Sequence, residues 1–353
     1  MIKKHLIHIS HNDLDGYSCQ YITNNIDFIS KQYYNINYNE ILPTLNQVFA
    51  YMLKNKEKEF LFLITDISMK SDSLKKITNF LKGNKHLKID TKIIDHHIDT
   101  KLLDESPIVF ASIDYCSTKL TYLIYKNYVK NKEKMKEFSD IVNAYDLWLE
   151  KNEYFITSKF LNNIIFSFIK YPDQLKSEKR NHIFKYINKF LKRLNENESL
   201  TKIQDKLFKD NRKIALNSIN KKTNNKNMVY EEIMFFIYFN KLKPIIKNEF
   251  ELINFNYKDN KYNLYICYNW DSNVFQNVSH YMLNNKLCNL VINLKENKTL
   301  SFRSKDKINC QIIAKDFFNG GGHKNASGAY FDKMPEIHSQ IECENIIKKE
   351  LNI

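Results

Sequence analysis

Three strongly apolar stretches of the chain each end in carboxylate or imidazole side chains. Each has the composition of a buried β-strand, and an open α/β sheet builds its active site where the carboxyl ends of its strands meet. One such ending alone would be explained by hydrogen bonding in a polar turn, because Asp serves readily in turns and caps. Three of them in one region of the chain instead predict an active site. The residues are His11, Asp13 and Asp15 after the first stretch, Asp66 after the second, and Asp95, His96 and His97 after the third.

The types of these side chains favour a divalent metal site. Carboxylates and imidazoles without clustered thiolates suit Mn²⁺ or Mg²⁺ better than a structural Zn²⁺. On a strand, Asp13 and Asp15 would face the same side together with His11, so one segment could supply three ligands. The whole group is larger than one ion needs, and we predict two cations about 3.5–4 Å apart that share a carboxylate and activate water for attack on phosphorus. The predicted metal ligands are His11, Asp13, Asp15, Asp66, His96 and Asp146.

The elements that must position these residues follow a regular alternation. Residues 1–170 alternate strand-like and helix-like stretches, which predicts an α/β domain with a mostly parallel sheet and helices on both faces. Residues 171–227 are rich in Lys, Asn and Glu with apolar residues at helical spacing, and we expect a helical linker. Residues 228–353 are strand-rich and predict a smaller α+β domain. Two domains are also what 353 residues suggest.

The apolar periodicity gives approximate element boundaries. In the first domain we predict strands ending near residue 11 and at 32–38, 59–66, 88–95 and 108–113, with helices at 17–29, 44–53, 71–81, from 117 or 118, and at 134–148. In the second domain we predict strands at 230–239, 250–257, 262–268, 287–294 and 300–303, with helices at 274–283, 309–318 and from 336 onwards.

The charge balance favours anionic partners. The chain has 54 Lys and Arg against 40 Asp and Glu, a net charge of +14, which suits RNA, DNA or phosphorylated metabolites. An AT-rich genome would give the same excess of lysine as a solvated surface, and both explanations stay open.

The cysteines and apolar runs indicate the compartment. The six cysteines show no paired short spacing, so neither a zinc knuckle nor a disulfide framework is predicted. The apolar runs are far shorter than a membrane span and no cleavable signal is recognisable, so we expect a cytoplasmic protein without membrane contact.

Glycine is rare and therefore informative. Five of the six glycines lie in two short stretches, one at Gly16 and the other between residues 320 and 328. Consecutive glycines let backbone N–H groups approach an anion closely, although most Gly-rich turns are structural. Cationic or donor side chains nearby favour a phosphate or carboxylate site. The candidate substrate-binding residues are Arg303, Gly320, Gly321, Gly322, His323 and Lys324.

Taken together, these motifs resemble those of the DHH family of phosphoesterases, named for the triplet that occurs here as Asp95-His96-His97. The resemblance covers nearly the whole chain. The other catalytic-domain motifs occur at 11–16, at Asp66 and at 144–148, and the stretches 301–304 and 320–329 resemble the family's associated substrate-binding domain. The opening Ser-His-Asn-Asp-Leu-Asp-Gly is most similar to that of the short-oligonucleotide nucleases, the nano-RNases.

The resemblance implies a role for each residue. Asp66 would bridge the two metal ions, His97 would contact the substrate phosphate as donor or acid, and Asp95 would orient a histidine. Many family members have the first histidine four residues before the first Asp, whereas His11 precedes Asp13 by two. His11 therefore either ligates metal with altered geometry or supports a ligand. The metal ligands implied are Asp13, Asp15, Asp66, His96 and Asp146.

The function expected from this resemblance is hydrolysis of short single-stranded oligoribonucleotides or dinucleotides to mononucleotides. The cofactors would be two divalent cations, Mn²⁺ ahead of Mg²⁺. The second domain would grip a terminal phosphate while the first cuts the phosphodiester in the cleft between them. The same chemistry would also serve an exonuclease on single-stranded DNA, a phosphodiesterase of linear or cyclic dinucleotides, or a phosphatase of 3′-phosphoadenosine 5′-phosphate. A non-catalytic RNA-binding or regulatory module is the alternative of another class, and the intact acids argue against it.

Overall fold

The computed structural model of the chain divides into two compact units, Met1–Ile214 and Ala215–Ile353. The predicted strand at 230–239 and the predicted domain boundary after residue 227 lie outside the described residues. Among the helices that are described, none combines the length and the apolar character needed to cross a membrane. The described residues are 1–101, 106–169, 176–195, 199–217, 252–258, 260–270, 272–305 and 308–353.

The first unit is built on a five-stranded sheet with the order β2-β1-β3-β4-β5. All four neighbouring pairs are parallel, which confirms the predicted α/β class. The strands are β1 (Ile2–His11), β2 (Phe28–Ile36), β3 (Glu59–Thr65), β4 (Lys88–Asp95) and β5 (Val109–Ala111).

Helices cover both faces of this sheet, because the central strands carry apolar side chains on both faces. In β3, Phe60 and Phe62 pack in the cluster that contains the side chains of α2 and α3, while Leu61 and Leu63 pack in the opposite cluster with Tyr125 of α5. Burial on both faces explains why the parallel strands read as continuous apolar runs. The helices are α1 (Leu14–Asn24), α2 (Ile41–Lys54), α3 (Ser71–Gly83), α4 (Ile98–Lys101), α5 (Ser117–Tyr125), α6 (Lys132–Asp146), α7 (Phe155–Ile169), α8 (Lys176–Asn195) and α9 (Leu200–Asn217), with a 3₁₀ helix at Tyr38–Glu40.

The helices predicted as a linker share the core of the first unit. Ile183, Ile187 and Phe190 of α8, and Ile203 and Leu207 of α9, are buried in one apolar cluster with side chains of α1, α6 and α7. This cluster extends the first unit through residue 214.

The junction between α1 and β2 differs from the prediction. A helix was expected to continue to residue 29, but α1 ends at Asn24 and β2 begins at Phe28. The amide of Asn25 donates to the carbonyl of Tyr21 at 2.9 Å and closes the last turn. A local side-chain bond to the backbone therefore ends the helix before the apolar periodicity does.

The second unit contains a six-stranded mixed sheet with the order β10-β11-β9-β8-β7-β6. Among the described strands of this second sheet, only β7 and β8 pair in parallel, and α10 connects them; the other pairs are antiparallel. Helices α11 and α12 contribute to the apolar cluster on one face and α10 to the cluster on the other. The elements are β6 (Ile253–Tyr257), β7 (Asn260–Tyr268), α10 (Ser272–Asn284), β8 (Leu290–Leu294), β9 (Thr299–Ser304), α11 (Cys310–Phe318), β10 (Gly321–His323), β11 (Ala326–Tyr330) and α12 (Gln340–Glu350). All six cysteines of the chain are buried free thiols.

His8 lies fully buried inside β1 and is held by two threonines. Its Nδ1 is 3.0 Å from Oγ1 of Thr23 and its Nε2 is 2.9 Å from Oγ1 of Thr65. Burial, reinforced by the charge of Arg180, lowers the pKa of His8 to about 3. The folded protein therefore holds this imidazole neutral at pH values where the unfolded chain protonates it.

We expect His8 to make the first unit sensitive to acid. Because the pKa of His8 is lower in the folded state, its contribution is fully present above about pH 6.5 and is lost as the pH falls toward 3. His8→Phe should reduce the pH dependence of the free energy of unfolding in this range by up to about 1.4 kcal/mol per pH unit. Urea unfolding at several pH values measures it, with His86→Phe at an exposed position as the control. Parallel pH profiles for the wild type and His8→Phe would contradict this assignment.

Candidate metal centre

The candidate centre lies at the carboxyl edge of the parallel sheet, where its topology reverses. The strand β1 lies between β2 and β3, so the connections after β1 and after β3 leave in opposite directions. Ligands of open α/β sheets bind at such a point. His11 ends β1, Asp66 follows β3, and Asp95 ends β4.

The segment after β1 turns at once into α1. Asp13 caps this helix, and its Oδ1 accepts the backbone N–H of Gly16 at 2.9 Å. The other carboxylate oxygen lies 2.7 Å from Nδ1 of His11. Burial opposes protonation of His11, but the charge of Asp13 outweighs it and raises the pKa of His11. A Cβ at Gly16 would lie 2.3 Å from the carbonyl oxygen of His11, so only glycine permits this close turn.

The prediction that His11, Asp13 and Asp15 share one face of a strand is wrong, although His11 and Asp13 are in contact. In the structure β1 ends at His11 and the helix begins at Leu14. Cap and first-turn geometry, rather than the strand period, places Asp13 and Asp15.

Asp15 is buried against the N-terminus of α5. Its Oδ2 accepts the backbone N–H of Ser117 and its Oδ1 that of Thr118, both at 2.9 Å. The exposed amides and the dipole at a helix N-terminus stabilise a carboxylate. This contact joins segments 102 residues apart and was not predicted, although the sequence did place a helix start at Ser117 or Thr118.

Asp66 occupies a strained position immediately after β3. Its φ is 55°, in the left-handed region that non-glycine residues rarely adopt and that is often found at functional sites. The side chain is buried, with Oδ1 3.3 Å from Nε2 of His96, and Oδ2 accepts no hydrogen bond. Two more carboxylates approach the same imidazole nitrogen: Asp146 Oδ2 at 3.3 Å and Asp15 Oδ2 at 3.7 Å.

Asp95 and His97 form a pair at the end of β4. Oδ1 of Asp95 is 2.8 Å from Nδ1 of His97, and the Asp95 side chain is fully buried. Burial opposes ionisation of Asp95, but the charge and hydrogen bond of His97 outweigh it and lower the pKa of Asp95. The His97 side chain keeps 13% of its surface exposed, against 1% for His96.

These side chains form three overlapping groups in the first unit, in each of which the potential ligand atoms lie within 4.8 Å of one another. Asp66 and His96 each belong to two groups, which is the sharing that a two-ion site needs. The groups are His11, Asp13 and Asp66; Asp15, His96 and Asp146; and Asp66, Asp95, His96 and His97.

The electrostatics of this cluster fit a divalent cation. Burial raises the pKa of Asp66 well above its usual value, and the charges of Asp13, Asp15 and Asp146 raise it further. Burial and the charges of Asp15 and Asp13 do the same for Asp146. Buried carboxylates that repel one another, and the buried oxygens Oδ2 of Asp66 and Asp146 that accept no hydrogen bond, are what a bound cation would compensate. Carboxylate and imidazole donors without a thiolate suit Mn²⁺ or Mg²⁺.

The predicted substrate-binding residues all lie in the second unit, on β9, β10 and the adjoining turns. Arg303 is paired with Ala326, which is also paired with His323, so the side chains of Arg303 and His323 project on the same face of the sheet. The guanidinium of Arg303 lies 5.5 Å over the ring of Phe275. The glycine run forms a β-hairpin, in which Gly321 pairs with Gly328, Gly322 with Ser327 and His323 with Ala326, while Gly320 precedes it and Lys324 lies in its turn.

Replacing Asp66 should separate metal binding from folding. Because Asp66→Asn removes one of four repelling carboxylates, we expect the metal-free variant to be at least as stable as the wild type. It should lose most of the rise in Tm that the wild type gains with Mn²⁺, where a ligand at 100 times its Kd adds about 2.7 kcal/mol. Thermal unfolding with and without Mn²⁺ measures both effects. Asp205→Asn, on the exposed face of α9, should behave as the wild type. An unchanged Mn²⁺ shift in Asp66→Asn would exclude this residue as a ligand.

Comparison with known proteins was consistent with a phosphoesterase. No family model matches the chain. It is 26% identical over 362 residues to the 3′,5′-cyclic-nucleotide phosphodiesterase of Helicobacter pylori (strain ATCC 700392 / 26695), covering 98% of each chain. It is 26% identical over 167 residues to the oligoribonuclease NrnB of Bacillus subtilis (strain 168), covering 44% of this chain and 40% of the relative. A crystal structure of an uncharacterized protein from Helicobacter pylori G27 has the same fold over 100% of both chains, with a TM-score of 0.52 and 20% identity. The names of the two relatives indicate a hydrolase of the phosphodiesterase or nuclease type.

Proposed function

We propose that this protein is a metal-dependent phosphodiesterase of the nano-RNase type, which hydrolyses short oligoribonucleotides to mononucleotides. One observation carries the proposal. Four carboxylates and two histidines converge at the carboxyl edge of the sheet, with Asp15 and Asp66 buried and Asp13 and Asp146 half-buried, and Asp66 and His96 are each shared between two potential ligand groups of the first unit. A structural ion pair needs far fewer acids than this, whereas hydrolysis of a phosphodiester by two cations needs about this number.

Two divalent cations, Mn²⁺ ahead of Mg²⁺, fit these ligands. One would be held by His11, Asp13 and Asp66 and the other by Asp15, His96 and Asp146. Asp66 also lies 3.3 Å from His96 and so could contribute to either. When bound, such ions lower the pKa of a water molecule and neutralise charge on the phosphoryl oxygens. Asp15 keeps its position because the amides of α5 hold both of its oxygens.

We assign to His97 the contact with the substrate phosphate. The Asp95 carboxylate lies 2.8 Å from Nδ1 of His97, which fixes the orientation of the ring. A protonated imidazole beside the scissile phosphate can donate to a phosphoryl oxygen or supply a proton to the leaving oxygen. Asp95 acts through His97 and is a positioning residue.

We assign binding of the substrate's terminal phosphate to the second unit. Arg303 and His323 share one face of its sheet, and their donors suit a phosphate. Recognition of a chain end would favour short substrates, and the net charge of +14 suits an anionic one. The residues assigned here are Arg303, Gly320, Gly321, Gly322, His323 and Lys324.

Hydrolysis of 3′,5′-cyclic nucleotides is the second candidate function. It is favoured because the relative named for this activity matches 98% of the chain, whereas the oligoribonuclease matches 44%. Both substrates contain a phosphodiester, so the same cluster would serve either. The oligoribonucleotide is placed first because Arg303 and His323 share one face of the sheet in the second unit and suit a second phosphate, which a cyclic mononucleotide lacks.

The substrate is tested by incubating the purified protein and Mn²⁺ with labelled RNA and DNA oligomers of two to five nucleotides, cyclic nucleotides, dinucleotides and 3′-phosphoadenosine 5′-phosphate. We expect dinucleotides and trinucleotides of RNA to give mononucleotides at the highest kcat/KM, and a chelator to abolish the reaction. Preferential hydrolysis of 3′,5′-cyclic nucleotides would establish the second candidate. If none of these phosphoesters is hydrolysed although Mn²⁺ binds, the enzymatic proposal is wrong and a binding module takes its place.

His97→Gln tests the assignment of the catalytic histidine. Loss of a proton donor should lower kcat by at least about 100-fold. The variant should keep the Mn²⁺-dependent rise in Tm, because all the proposed metal ligands remain. His86→Gln, at an exposed position in the first unit, is the matched control and should keep full activity. A His97→Gln variant with wild-type kcat would remove His97 from the mechanism.

A further inference from the structure

Tyr38 borders the candidate metal centre and has a large exposed surface. It begins the 3₁₀ helix that follows β2, and 48% of its surface is exposed. Its ring centroid lies 5.1 Å from that of His11, with 40° between the ring planes. Exposed tyrosines are common on proteins, but this one lies beside a residue of the buried cluster.

The Tyr38 ring therefore reaches the cluster through its contact with His11, while about half of the residue's surface stays exposed to solvent.

The backbone that carries Tyr38 is held firmly. The carboxylate of Glu40 accepts the backbone N–H of Asn37 at 2.9 Å and its side-chain amide at 3.3 Å, which closes a capping box around Tyr38. Lys176, the first residue of α8, pairs with Glu40 at 2.5 Å. The backbone from which the Tyr38 ring projects is therefore bonded on both sides of this residue.

Other aromatic residues near the motifs are already used in packing. Tyr17 is fully buried and donates to Asn12, and Tyr145 is 9% exposed within the core cluster. Trp148, two residues after Asp146, packs edge-on against Phe155 at 4.9 Å. The exposure of Tyr38 is not explained by such packing.

We propose that the ring of Tyr38 is a stacking platform for a nucleobase of the substrate, next to the phosphate held at the metal centre. The inference rests on the proposed function, which puts a nucleotide at this centre. Stacking on an aromatic face accepts any base, and a pre-oriented ring loses little entropy on binding. Tyr38 is thus a substrate-binding residue that distinguishes nucleotides from other phosphodiesters.

The test compares substrates with and without a base. One substrate is the 5′-phosphorylated diadenylate, and the other carries tetrahydrofuran abasic residues in place of both nucleosides. Tyr38→Leu, which keeps apolar bulk but loses the aromatic face, should lower kcat/KM for the diadenylate about 10-fold, mainly through KM. The abasic substrate should change less than 2-fold. Tyr38→Phe should stay close to the wild type on both.

The matched control is Tyr128→Leu, at a tyrosine that is 52% exposed beyond the far end of α5. This variant should leave kcat/KM unchanged for both substrates. An equal loss on both substrates in Tyr38→Leu would show a role in shaping the centre and overturn the platform. If Tyr38→Phe lowered kcat/KM for the diadenylate as much as Tyr38→Leu, the hydroxyl rather than the ring would be responsible. This result would also overturn the platform.

Failure of the proposed function has a different signature, because the wild type would then leave the diadenylate intact. In that event the same variants are compared by calorimetry for binding of AMP and of ribose 5-phosphate. Tighter binding of AMP that is lost in Tyr38→Leu would support the platform without the nuclease activity. Equal binding of both ligands by the wild type, or no binding of AMP, would overturn it.

Discussion

Repulsion among carboxylates crowded at one edge of the sheet is the constraint on which the first unit depends. Burial and the charges of Asp13 and Asp15 raise the pKa of both Asp66 and Asp146 well above its usual value. Burying a charge without a compensating partner costs free energy, and burying like charges together costs more. Local contacts compensate two of the four charges. The amides of α5 donate to Asp15, and the imidazole of His11 contacts Asp13. Asp66 and Asp146 keep buried oxygens that accept no hydrogen bond, and a bound cation would satisfy them.

The parallel sheet can hold this arrangement because its stability comes from elsewhere. The central strands are buried on both faces by apolar clusters that do not include the acids. The polar residues stand at the strand ends, where the backbone has left the hydrogen-bonded ladder and can take conformations such as the left-handed turn at Asp66. The residues that stabilise the sheet and the residues of the candidate site therefore lie in different parts of the same strands.

The sequence was most informative where local pattern decides the structure. The apolar run at 88–95 gave β4 with its observed ends, Lys88 and Asp95, and the helix start at Ser71 was correct. The pattern failed where a side chain competes with the backbone, as Asn25 does at the end of α1. The pattern also failed directly after β1, where it did not distinguish a continuing strand from a capped helix. Either conformation brings His11 and Asp13 together. The contact of Asp15 with α5 and the approach of Tyr38 to His11 depend on tertiary packing, and no spacing in the sequence encodes them.

The same reasoning places substrate specificity outside the metal cluster. With cations bound, the carboxylates and imidazoles at this edge would recognise a phosphodiester by its charge, and that feature is shared by oligoribonucleotides, cyclic nucleotides and many other esters. Discrimination must come from groups that contact a base, a ribose or a second phosphate, since leaving such a group unpaired changes the transition-state energy. In the first unit the exposed ring of Tyr38 is placed to do this, and in the second unit the row formed by Arg303 and His323 is. Two proteins could therefore share every acid of this centre and still act on different phosphodiesters, according to what stands at these few positions.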